Sequence, residues 1–382
     1  MSNKLKPIEP VFSSPKERER VFDEYFERYR RSSDLSVNPI DPHEWIQKLP
    51  KTLYKYRTSN EYDIAAFENG DLWFSHPVVW DDDMDASVRF ETIGEVRKKI
   101  GTDFGEFVLR SFWPIIRNAL PSEERKILDD KSIRRYNKRM FDPNGSINKG
   151  RATALFVSLG MKQNLAKMFT EQLASAKKDF AAGNLFRKTR KFIKDIKERS
   201  ENIRKEHFMA SLSENGTSDY MWQEYARNGD GFLVCYSLDF IDDQSPKMIG
   251  ATAPMMYGVP KRFEFSSLVM ELLAVELLRQ GKKGQERVVK NRLEIIARSV
   301  WTKDPKYEFE QEWRITFGPK DAEELGARKG GLLHFPYAKK VILGWNLSKE
   351  KRERIVAAAK KQKCDIEFKD PPNTKRITWK SI

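Results

Sequence analysis

The chain has 382 residues, a formal net charge of +14, 39% apolar residues and 12% aromatics. Such a composition excludes a disordered protein and leaves room for two or three domains, or one domain with a large insertion. No apolar run of 18 residues occurs, so no transmembrane helix and no membrane partner are expected. The first fifteen residues, MSNKLKPIEPVFSSP, lack the apolar core of a signal peptide. Two cysteines, Cys235 and Cys364, fit a reducing compartment, so a cytoplasmic protein is expected.

The charge is unevenly spread. Residues 122–208 hold 22 Lys and Arg against 11 Asp and Glu, which accounts for +11 of the +14. One reading is a set of solvated helix faces; the other is a surface facing nucleic acid. Within it, Arg187–Lys205 places Phe192, Ile193, Ile196 and Ile203 on one helical face. Its cations would touch phosphates and carry no base code.

In chain order, Ser14–Arg31 predicts an amphipathic helix, with Val21, Phe22, Tyr25, Phe26 and Tyr29 on one face and Pro15 near its start. Asp41–Trp45 reads as a helical turn, Lys51–Arg57 as a strand, and Tyr62–Gly70 as a short helix closed by Gly70. A strand over Leu72–Ser75 and a loop over Trp80–Asp85 follow. Ser87–Leu120 and most of Ser122–His207 read as helix, broken at Pro143–Ser146 and Ala182–Asn184. Strands over Phe208–Ser213 and Phe232–Leu238 flank a helix over Asp219–Ala226, and Phe263–Val300 is largely helical.

In Trp301–Gly318, Tyr307, Phe309, Gln311, Trp313 and Ile315 alternate with Glu308, Glu310, Glu312, Arg314 and Thr316. The period of two predicts one strand, with Glu310 and Glu312 about 7 Å apart on one face. Leu332–Phe335 is extended; Val341–Leu343, Ser348–Lys361 and Asp365–Phe368 form a strand–helix–strand unit, and a polar tail starts at Pro371. The expected fold is α+β: a mixed, largely antiparallel sheet core with a large basic helical insertion. The divisions are a helical arm (1–47), a core in two parts (48–121 and 208–370), the insertion (122–207) and a tail (371–382).

KTLYKYR (51–57), LWFSHPVVWDDDMD (72–85), SLSEN with MWQEYARNGDGFLVCYSL (211–238) and WTKDPKYEFEQEWRI (301–315) resemble an uncharacterised bacterial domain family. The resemblance spans roughly residues 50–345. That family shows a Lys-Tyr-Arg strand, a Trp-Phe-Ser strand, a Met-Trp-x-x-Tyr-Ala helix and a final Glu-x-Glu-x-Arg strand. It also shows Asn-Asp-Pro-Phe-Glu where this chain has Asp81-Asp82-Asp83-Met84-Asp85, in which Asp82 keeps the central acid. Its members tend to occur in mobile and phage-defence neighbourhoods, which implies a toxin or effector with a defence-system or antitoxin partner.

A more distant resemblance carries chemistry. The order Arg57, Ser211-x-Ser213, Glu310-x-Glu312 is similar to the Arg, Ser-Thr-Ser, Glu-x-Glu order of ADP-ribosyltransferases. It implies NAD as substrate. Arg57 would hold the phosphates, and Ser211 and Ser213 would brace the site. Tyr56, Trp222 or Tyr225 would stack on nicotinamide. Glu312 would stabilise the oxocarbenium-like ribose, and Glu310 would orient or deprotonate the acceptor. Arg314, Ser75 and Asp82 are further cleft candidates.

Each of these residues also has a structural reading. Glu310, Glu312 and Arg314 could form a surface ion ladder with Arg57 as a bridge. Ser211 and Ser213 could end a strand. Trp222 and Tyr225, at i and i+3, could be core. The acids at 81, 82, 83 and 85 read as a solvated turn and helix cap. No metal is predicted, since His43, His76, His207 and His334 show no ligand spacing with the cysteines. Two other functions stay open: a non-catalytic nucleic-acid-binding or interaction protein, and a metal-dependent nuclease using Asp82 with Glu310 and Glu312.

Overall fold

A computed structural model describes residues 14–31, 40–80, 88–92, 129–142, 146–181, 201–258, 300–326 and 331–371 continuously, with single residues and short pieces elsewhere, Asp85 and Arg298 among them. Asp81–Met84, most of Ser87–Leu120, most of Arg187–Ser200 and most of Phe263–Val300 lie outside the described residues. The chain divides into two units. One comprises Met1–Ser87, Glu201–Pro260 and Ala297–Ile382; the other comprises Val88–Ser200 and Lys261–Ile296. The second unit thus starts before the basic stretch at 122 and draws on a second piece of chain.

The first unit is α+β. It opens with α1 (Pro15–Arg31), whose Val21, Phe22, Tyr25 and Phe26 are buried. Tyr29's side chain lies outside the described residues. After a helical turn capped by Asp41 come β1 (Leu53–Thr58), α2 (Glu61–Glu68) and β2 (Asp71–Trp73). Asn60 caps α2, and Gly70 follows it at φ +67°, where a left-handed residue ends a helix without Cβ strain. Next are β3 (Phe208–Ser213), α3 (Asp219–Glu224), β4 (Gly231–Tyr236), β5 (Thr252–Pro254), β6 (Met256–Tyr257), β7 (Thr302–Lys303) and β8 (Glu312–Phe317). Then come β9 (Leu332–His334), β10 (Ala338–Leu343), α4 (Lys349–Lys361), β11 (Asp365–Phe368) and β12 (Lys380–Ser381).

Eight strands form one sheet in the order β12-β11-β10-β4-β1-β3-β8-β5. Only β10 and β11, joined by α4, run parallel; the other pairs in this sheet are antiparallel. The sheet is therefore mixed and largely antiparallel, as the pattern of short strands predicts. One face buries Leu53, Ala210, Leu212, Phe232, Val234, Trp313 and Ile315 against α1, α2 and α4. On the other face, Tyr54, Tyr56, Leu233 and Cys235 pack under Met221 and Trp222 of α3.

Strand β8 begins later than its alternation predicts. Pro305–Glu310 is a 3₁₀ turn capped by Asp304, and Gln311 is left-handed at φ 44°. Tyr307 and Phe309 mimic strand periodicity, but the Asp-Pro start and the left-handed Gln311 keep this segment out of the sheet. The polar tail is also not wholly irregular, because Lys380 and Ser381 pair with Phe368 and Glu367.

The described part of the second unit is mainly helical. Asp130–Met140, Lys149–Ser158 and Gln163–Ala181 pack around Ile133, Met140, Leu155, Phe156 and Phe169. On the first of these helices Ile133, Asn137 and Met140 face inward, while Lys131, Arg134, Arg135, Lys138 and Arg139 line the remaining, more open faces.

Candidate functional site

The motif strands β1, β3 and β8 are consecutive neighbours in the sheet. Trp313 and Ile315 of β8 point into the apolar core, so Glu312 and Arg314 take the opposite face. There the register sets Glu312 directly across from Ser213, and Arg314 across from Ser211. Arg314 is fully buried. Its Nε donates to Glu312 Oε1 at 2.6 Å, and its Nη2 donates to both oxygens of Asp85 at 2.8 and 2.6 Å. The Trp80 ring lies 4.6 Å from its guanidinium carbon, and Trp80 is held by its Nε1–H on Ser75 Oγ at 2.7 Å.

A second cation enters from β7. Lys303 Nζ lies 2.6 Å from Glu310, 3.1 Å from Glu312 and 3.7 Å from Asp85. The 3₁₀ turn sets Glu310 against this ammonium. Its other oxygen accepts from the Tyr225 hydroxyl, and its backbone carbonyl accepts from Ser213 Oγ at 2.5 Å. The Glu312 N–H donates to Tyr257 Oη at 2.6 Å. Three carboxylates thus share two cations, leaving one negative charge in excess. This is not a solvated ion ladder: Glu310, Glu312 and Arg314 are all buried, and only Glu308 of the alternating acids is exposed. Asp85, read as part of a solvated turn, is buried within the cluster.

The surroundings separate the two glutamates. Burial alone would raise the Glu312 carboxyl, but Arg314 and Lys303 outweigh it and hold Glu312 far below the usual range, with help from Ser211. Glu310 moves up instead, because burial and the Glu312 charge outweigh its bond to Lys303. Burial works against the charge on Lys303, yet Glu312, Glu310 and Asp85 together hold its amine above the ordinary range. Burial and Glu310 push the Tyr225 phenol up, so it donates as a neutral hydroxyl.

The other predicted residues fall in four groups. Ser211, Ser213 and Tyr225 join the cluster, and Ser75 supports it through Trp80. Tyr56 and Trp222 do not: they meet edge to face at 5.7 Å inside the core, and the Tyr56 hydroxyl donates to Asn215 O at 2.9 Å. Core packing, not ring stacking on a ligand, describes both. Arg57 lies on the opposite sheet face from Glu312, among Phe232 and Tyr236. Its Nη2 donates to Tyr236 Oη at 3.0 Å and Asp71 O at 3.1 Å. It bridges to neither Glu310 nor Glu312. Asp82 lies outside the described residues.

Sequence reasoning missed Lys303, Asp85, Tyr257 and Arg18. Arg18 of α1 is buried and donates to Met255 O and Glu312 O at 2.9 and 3.0 Å, while pairing with Glu214 at 3.2 Å. The signal for Lys303 was present, since TKDP sets a Lys just before a capped turn. None existed for Arg18, which sits among other arginines and glutamates on α1.

The fold and the cluster define an α+β protein with a buried acid–base centre on one sheet face. Residues 221–315 match a family described as a protein of unknown function, DUF2971. That stretch runs from α3 into β8 and contains Tyr225, Lys303, Glu310, Glu312 and Arg314. No curated protein and no solved structure matches the chain.

Proposed function

We propose that this chain is an ADP-ribosyltransferase-like enzyme that cleaves NAD at its nicotinamide bond, with the Glu310–Glu312 cluster as its centre. The observation that supports this most is the cross-strand pairing of Ser213 with Glu312 on neighbouring strands. It joins two of the three motifs whose order resembles that enzyme class.

In this reading the nicotinamide leaves with the electrons of the C–N bond, and positive charge grows on the ribose. A fixed, fully ionised carboxylate opposite that charge lowers the barrier without reorganising. Glu312 fits that part, because Arg314 and Lys303 keep it ionised and immobile. An acceptor oxygen or nitrogen then bonds to the ribose carbon and gives up its proton. Glu310, with its raised pKa, fits as the proton's acceptor, since a base nearer neutrality transfers protons better. Tyr225, 40% exposed with its hydroxyl on Glu310, marks the side from which an acceptor would approach.

As the acceptor we propose a nucleic acid, on the strength of the basic helical unit, and as the setting a toxin or defence effector. The test is incubation of the full chain with NAD, with and without cell RNA and DNA, following free nicotinamide and the fate of ADP-ribose. Nicotinamide release with ADP-ribose appearing on nucleic acid supports both parts. Release with free ADP-ribose alone removes the acceptor, and no release under either condition rejects the enzyme.

A further inference from the structure

Buried backbone groups need hydrogen-bond partners, and in a sheet the neighbouring strand supplies them. Glu312 is an exception on one side. Strand β5 pairs Thr252–Pro254 with Ile315–Trp313, so it ends one residue before Glu312 is reached. The N–H and C=O of one strand residue point the same way, and those of Glu312 face the side where β5 has ended. Three groups hold them there. Met255 N–H and Arg18 Nη1 donate to Glu312 O at 2.9 and 3.0 Å, and the Glu312 N–H donates to Tyr257 Oη at 2.6 Å.

The same residues reach Lys303. Past Met255 the chain leaves the sheet edge and, as β6, runs parallel to β7, with Met256 level with Thr302 and Tyr257 level with Lys303. Gly258 N–H then donates to Lys303 O at 3.0 Å. Tyr257 therefore meets both halves of the central ion pair: its backbone is in register with Lys303, and its hydroxyl holds the Glu312 N–H. Arg18 fixes the point of departure. Its Nη1 bridges Glu312 O and Met255 O, the latter at 2.9 Å, and its guanidinium carbon lies 5.6 Å from the centre of the Tyr257 ring. Glu214 holds Arg18 from behind at 3.2 Å and accepts from Trp313 Nε1 at 2.8 Å. Burying a guanidinium is costly. Here its planar fork bridges two carbonyls on different strands, which a single ammonium does less well.

We propose that Arg18 and Tyr257 are positioning residues that take the place of strand pairing beside Glu312 and thereby set the reach of Lys303 to Glu310 and Glu312. The consequence for catalysis rests on the NAD reading, whereas the positioning itself does not. The bonds described go to the backbone of Glu312, not to its carboxylate, so both residues act through β8 and β7. Lys303 lies 2.6 Å from Glu310 and 3.1 Å from Glu312, and a shift of β7 against β8 lengthens both contacts.

The test uses the full chain with Tyr257→Phe and Arg18→Lys. The comparator is Ile355→Ala, which opens a cavity under α4 in the apolar core and touches none of these groups. The first readout is acetylation of Lys303 by an N-hydroxysuccinimide ester, followed by peptide mass. The free amine is the form that reacts, and the carboxylates around Lys303 hold it as ammonium. Labelling should be several-fold faster in Tyr257→Phe and in Arg18→Lys than in wild type, and unchanged in Ile355→Ala. The second readout is nicotinamide release, where both variants should lose about tenfold to a hundredfold in kcat with KM near wild type. Tyr257→Phe removes a single oxygen, so it carries the test alone if Arg18→Lys misfolds. Unchanged labelling in folded Tyr257→Phe, or equal acceleration in Ile355→Ala, would overturn the positioning role. Faster labelling with unchanged kcat would overturn its part in the reaction. Faster labelling with no release from wild type would keep the positioning and reject NAD cleavage.

Discussion

Glu312 stays charged inside the protein because Arg314 and Lys303 both reach it. A buried pair broken from one side leaves the other charge unpaired, which costs about 3–5 kcal/mol. Arg314→Met strands Glu312 and Asp85 together, so its unfolding free energy from urea titration should fall by an amount in that range; a value equal to wild type would contradict the geometry. Arg314→Lys keeps the charge but loses the fork on Asp85, and should recover only part of the loss. Lys55 behaves in the opposite sense. Burial, and then the Arg57 charge, lower its amine to about 8 from the ordinary 10.5, against smaller opposing effects of Asp63, Glu312 and Glu310. Below pH 8 the amine is charged in both states, and burying that charge disfavours folding. Between about 8 and 10.5 only the unfolded chain keeps the proton, so folding becomes more favourable as pH rises through this window. Lys55→Met lacks this response. The stability of wild type relative to Lys55→Met, measured by urea unfolding at pH 7 and pH 10, should therefore shift toward wild type at the higher pH. Parallel behaviour of the two proteins would contradict a depressed Lys55.

At the scale of elements, strands and helices with clean periodicity were legible. Val21, Phe22, Tyr25 and Phe26 announced α1, and the apolar run Phe232–Leu238 announced a strand, which the structure shows over Gly231–Tyr236 with every residue buried. The cluster was half legible. Glu310, Glu312, Arg314, Ser211 and Ser213 stood out as a motif, whereas Asp85 and Arg18 arrive from far along the chain, and no spacing encodes that. The side of the sheet taken by Arg57 was hidden for a related reason. It depends on the register of β1 with β4, which pairs Arg57 with Phe232. The 3₁₀ turn before β8 was misread because its aromatic residues repeat every second position. Gln311 is what ends that turn, at a φ that L-residues adopt only at a cost of about 1–2 kcal/mol. Gln311→Gly should therefore raise the thermal midpoint, and Gln311→Val should lower it. The reverse order would mean that this residue does not take the left-handed conformation in solution.

For the whole molecule, the sheet unit carries the acid–base cluster and the helical unit carries most of the excess positive charge. Under the proposed nucleic-acid acceptor, binding to a random duplex should weaken steeply with salt, because each neutralised phosphate releases counterions. Replacing Lys131, Arg135 and Lys138 by Gln should flatten the log–log slope by about 1 for each phosphate that is no longer neutralised. An unchanged slope would remove this face of the Asp130–Met140 helix from any such role. The sharpest measurement concerns the sheet unit itself. It is the rate of nicotinamide release at saturating NAD by wild type and by Glu312→Gln, with folding of both checked by circular dichroism. Loss of a charge fixed against the developing cation should cut that rate by about a hundredfold or more. Equal rates in the two proteins, or no release from wild type, would contradict Glu312 as the centre of the reaction.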